Sequence, residues 1–129
     1  MRFALARGVV RDRLPRLVVA ALAFAPARSA VCELLAAAYP HDDPTEQLIA
    51  GLDALMEEPA AHDVLAGSSG LTFSEGERWV LRGFAAGHGE SGLLERVAGG
   101  QAPEGVDATL VMRLGFALPL TTRLGVLLR

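Results

Sequence analysis

The chain has 129 residues, of which 51% are hydrophobic and 5% aromatic, with a formal net charge of −3 and a mean hydropathy of +0.33. That length suits one domain, residues 1–129, and that supply of apolar residues excludes a disordered chain. With so few aromatics, Leu, Ala and Val must fill the core, and they favour helices over a β-sandwich.

All 12 cationic side chains are Arg; Lys and Asn are missing, and Ile49 is the sole Ile. These residues share AT-rich codons, so coding bias explains the pattern better than selection for guanidinium forks. The Arg count is therefore no argument for nucleic acid. The placement of charge is more informative. Residues 1–30 carry six Arg against Asp12, residues 31–110 carry fourteen acids against Arg78, Arg82 and Arg96, and residues 111–129 add three Arg. Both basic ends are also apolar, which favours their packing onto the acidic middle over the alternative, a basic surface offered to a partner, membrane or nucleic acid.

In chain order, Phe3, Ala6, Val10 and Leu14 share one helical face while Arg7 and Arg11 lie on another, an amphipathic pattern. Pro15 closes it. The next helix, from about 16 to 25, is apolar nearly all round, and Pro26 is expected to end it. Ser29 offers an N-cap for a third, in which Val31, Leu34, Leu35 and Ala38 follow at helical spacing until Tyr39-Pro40. Asp43, Pro44 and Glu46 form the strongest start signal, followed by the stripe Leu48, Ile49, Leu52, Leu55 and Met56, with Asp53 and Glu57 read as solvated. After Pro59 a short turn of helix is expected to Ala66, then a hinge near 67–70. Ser74 with Glu77 makes a capping box for a helix holding Trp79, Val80 and Phe84 that stops at Gly87. Ser91–Ala98 is a further short helix. Asp107 caps a helix striped by Leu110, Val111, Leu114 and Leu118, which Pro119 is expected to break or kink before a final turn set bearing Leu124, Leu127 and Leu128. The expected fold is an all-α compact bundle of about seven or eight short helices in a single domain.

Residues 1–27 have the layout of a secretory signal: a charged region, an apolar run and Ala25-Pro26-Ala27. The charged part is long and includes Asp12, and Cys32, being alone, offers no intrachain disulfide. A cytoplasmic location is expected, with secretion the alternative. No stretch approaches the roughly 20 apolar residues of a membrane span.

Four patterns touch on chemistry. Gly87-His88-Gly89-Glu90-Ser91-Gly92 spells the dinucleotide fingerprint, but such a site needs a strand before it and a long helix after it. A glycine-rich link between two helices fits the same letters better. His41-Asp42 and His62-Asp63 resemble the His-Asp pairs of the HD metal-dependent phosphohydrolases, which implies a metal site that activates water. The likeness is confined to dipeptides, so these four residues are candidates only. Cys32 lies in an apolar helical pattern without a base beside it, which reads as a small buried hydrophobe. Trp79 and Phe84 read as core anchors. Leu34-Leu35-Ala36-Ala37-Ala38-Tyr39-Pro40 and the acidic, Leu-rich helix after it loosely resemble the redox-enzyme maturation chaperones, an all-helical family of longer chains. So partial a likeness assigns neither family nor function.

The function these features favour is a non-enzymatic helical adaptor or assembly protein without a cofactor, acting on a protein partner or by self-association. The candidate contacts are Arg7, Arg11, Arg13, Leu124, Leu127 and Leu128. The first alternative is a small regulator that binds nucleic acid or an anionic membrane through its Arg-rich N-terminal helix. The acidic middle weighs against a broad nucleic-acid footprint. The second alternative is a small metal- or ligand-binding helical enzyme.

Overall fold

The computed structural model describes residues 17–22, 25–57 and 73–123, with side chains as far as Phe116 apart from that of Ala25. Residues 17–22 are helical, and five helices follow: α1 (Ala25–Ala38), α2 (Pro44–Met56), α3 (Glu75–Ala85), α4 (Gly89–Ala98) and α5 (Ala108–Arg123). No strand occurs among the described residues, so the protein is all-α. Six helical segments are described rather than seven or eight. One difference is at Pro119, where the backbone continues as α5 to Arg123 instead of starting a new turn set. The helices expected before Pro15 and between Pro59 and Ala66, and the hinge at 67–70, lie outside the described residues.

The helix starts follow local chemistry. Pro26, expected to end a helix, is instead the second residue of α1, where a missing amide costs no intrahelical bond. Ser29 consequently lies inside α1 and is not its cap. Asp43 caps α2, its Oδ1 accepting the Thr45 amide at 3.0 Å, with Pro44 at the first helical position. Ser74 and Glu77 form the reciprocal box at α3: the Glu77 amide donates to Ser74 Oγ at 3.1 Å and the Ser74 amide to Glu77 Oε1 at 2.9 Å. Asp107 Oδ1 accepts the Leu110 amide at 2.9 Å and opens α5.

Helix α3 is the hub, packing against α2, α4 and α5, while α1 packs on α2 and α4 on α5. Its buried Val80, Leu81, Phe84 and Ala85 meet Leu48, Leu52 and Met56 of α2, Leu93 of α4, and Val111 and Leu114 of α5 in one cluster with Val31, Leu35 and Ala38 of α1. Val18, Val19, Ala21 and Leu22 complete it, so the apolar stretch near the N-terminus is core where it is described. Each fully buried Leu contributes on the order of 1.5–3 kcal/mol, which makes these stripes the main source of stability. Gly83 sets the closeness of α3 and α4, since a Cβ there would overlap the Leu93 side chain.

Gly87 turns the chain from α3 into α4. With φ at +94° it adopts the left-handed conformation that ends a helix, donating to the Phe84 carbonyl at 3.0 Å while the His88 amide reaches the Gly83 carbonyl at 3.1 Å. This is a Schellman stop between two helices.

Candidate functional site

That stop decides the fingerprint at 87–92. Gly87 follows a helix rather than a strand, and Gly89 and Gly92 already belong to α4, which has only 10 residues, so the letters span a helix–helix link and the first turn of the next helix. His41 and Asp42 sit exposed in the turn before α2, where Asp42 Oδ2 accepts a hydrogen bond from Gln47 Nε2 at 3.1 Å. Asp42 is thus occupied locally. His62 and Asp63 lie outside the described residues, as do Arg7, Arg11, Arg13, Leu124, Leu127 and Leu128. Among the described residues, no three His, Cys, Asp or Glu side chains converge in a way that could hold a metal ion. Cys32 and Trp79 are half-buried against the core. No helix among the described residues is long and apolar enough to cross a membrane.

Three pairs of acidic and basic side chains among the described residues cross-link helices. Arg82 of α3 grips Asp53 of α2 with two hydrogen bonds, at 2.9 and 2.8 Å, and Arg78 reaches Glu57 at 3.5 Å. Asp53, expected to be solvated, is partly exposed and also paired across the helix contact. Arg113 of α5 approaches Glu77 of α3 at 3.4 Å, so one basic end does meet the acidic middle.

Two surface features remain. Near the end of α4, a depression of about 280 Å³ is rimmed by His88, Glu95, Arg96 and Gln101, all exposed. No buried group there gives it chemistry. The other feature is the outer side of α5, where Met112 is 47% and Phe116 73% exposed. Because Val111 and Leu114 face the core, Met112 and Phe116, four residues apart, share the opposite side of the helix.

No family model, curated protein or solved structure matches the chain. The site must therefore be read from its own residues.

Sequence reasoning found the inward stripe of α5 but passed over Met112 and Phe116. The signal was present: once Leu110, Val111 and Leu114 are placed inside, the helical wheel leaves both large apolar side chains outside. In the sequence, Leu120, Leu124 and Leu128 continue the same four-residue spacing.

Proposed function

We propose that this chain is a non-enzymatic adaptor or accessory subunit that binds a protein partner, or a second copy of itself, through the outer side of α5. The observation that supports this most is the exposure of Phe116 and Met112 one helical turn apart. Scattered apolar residues on a surface need no explanation, but aromatic and Met anchors aligned on one helix side are the residue types that protein interfaces favour. Arg113, exposed beside them, supplies a polar rim. Leu124, Leu127 and Leu128 prolong the apolar character of the sequence at its C-terminal end, as the partner-binding reading requires. The cytoplasm is the compartment that accompanies this reading, since the lone Cys32 offers no intrachain disulfide.

Photo-crosslinking tests it directly. A photoreactive phenylalanine analogue in place of Phe116 should capture one defined protein, or this chain, at high yield. The same group at exposed Glu46 on α2 should not. Equal and diffuse capture from both positions would overturn the proposal.

A further inference from the structure

A different corner of the molecule, independent of the α5 surface, carries a second reading. Among the arginines with described side chains, Arg78, Arg82 and Arg113 each meet a carboxylate, that of Glu57, Asp53 and Glu77 respectively. Arg28 of α1 is more deeply set than Arg82 or Arg113, yet among the described residues it meets only neutral acceptors. Its Nε donates to the Ala85 carbonyl at 2.9 Å and its Nη2 to the Thr45 hydroxyl at 3.2 Å. Its guanidinium lies against Gly87, where a Cβ would stand 2.9 Å from Cζ. Nη1 has no acceptor among the described residues.

Beside this guanidinium opens a groove of about 250 Å³. Leu22 and Phe84 give it apolar walls, Ser29 adds a hydroxyl, and Gly87 and Gly89 leave one wall without side chains. We propose that the groove binds a small free carboxylate with an apolar body, of the size of benzoate or a short fatty acid. The carboxylate sits on the Nη1 side of Arg28 and the body lies against Leu22 and Phe84. A single planar guanidinium matches a carboxylate fork, whereas a phosphate group needs more donors than this groove supplies. The two hydrogen bonds that hold Arg28 in place reduce the ordering cost of binding. The volume falls below the usual range of roughly 300–1,000 Å³ for drug-sized ligands, which fits a small one.

The test is a nuclear magnetic resonance titration of the full chain with sodium benzoate, benzyl alcohol and inorganic phosphate at millimolar concentrations. Benzoate is expected to give saturable shifts at the Arg28 Nε–H and at the Gly87 and Gly89 amides, with benzyl alcohol and phosphate much weaker. Ser29→Trp, which fills the groove from the exposed side of α1 without touching the Arg28 hydrogen bonds, should weaken benzoate binding about tenfold or more. Arg28→Gln should do the same; because Arg28 also ties three helices together, Ser29→Trp decides the matter if that variant does not fold. Shifts spread over the exposed arginines, binding unaffected by Ser29→Trp, or phosphate or benzyl alcohol binding as tightly as benzoate would each overturn the proposal. Because Ser29 is on α1 and not α5, crosslinking from position 116 should survive in Ser29→Trp.

Discussion

Glu77 and Arg113 face each other across the contact between α3 and α5, with Nη2 3.4 Å from Oε2, while the other Glu77 oxygen receives the Ser74 amide at 2.9 Å. One buried carboxylate thus closes a capping box and ties the last described helix to the hub. These two contacts are separable. Glu77→Gln keeps an acceptor for the Ser74 amide and loses the charge pairing, at a cost of about 1 kcal/mol. Glu77→Ala loses both and leaves a gap, at a cost of about 2–3 kcal/mol. Urea denaturation of the two variants should show that order; equal losses would mean that the cap contributes nothing.

Arg82 and Asp53 make the better hydrogen bonds, but their side chains are 53% and 35% exposed. Solvent screening therefore limits the pair to about 0.5–1 kcal/mol in a double-mutant cycle with Arg82→Ala and Asp53→Ala. The coupling should fall further in high salt. A coupling that held its size there would show that the pair is less hydrated than its exposure indicates.

At Gly83 the prediction concerns shape alone. A Cβ there overlaps Leu93, so Gly83→Ala should destabilise by about 1–3 kcal/mol despite its better helix propensity. Added to Leu93→Ala, which has already removed the obstructing methyls, the same substitution should cost far less. Additive losses in thermal denaturation would place the strain elsewhere.

Gly87 and Gly105 both have positive φ, at +94° and +89°, but only Gly87 has a neighbour within reach of a Cβ, the Arg28 guanidinium. Gly105→Ala should cost about 1–2 kcal/mol for the left-handed backbone alone. Gly87→Ala should cost more, and the excess should shrink when Arg28 is also replaced by Ala. Calorimetric melting of these three variants and of Arg28→Ala alone separates the contributions.

What could be read in advance was local. The caps at Asp43, Ser74 and Asp107 need only a short polar side chain within three residues of a free amide, so spacing alone reveals them. The inward stripes were equally legible, because helical period fixes which residues share a side. Prolines are not: spacing makes Pro26 a stop and Pro119 a break or kink, yet Pro26 lies in the first turn of α1 and α5 runs past Pro119 to Arg123. A proline's meaning depends on whether the amide it lacks had a partner, which neighbouring packing decides. The Arg28 groove left no local trace, since Arg28 reaches an acceptor 57 positions away. For the dipeptide candidates the described residues show only that His41 and Asp42 stand in a turn where Asp42 accepts from Gln47.

The most direct measurement is the pairing of stability with assembly in Phe116→Asp, using chemical denaturation and light scattering or partner retention on the same samples. An exposed anchor that serves only a partner should be replaceable with stability changed by no more than about 0.5 kcal/mol while the assembly is lost. If the folded chain lost several kcal/mol, or if assembly were unchanged, Phe116 would not be the anchor and the α5 surface would not be the binding site.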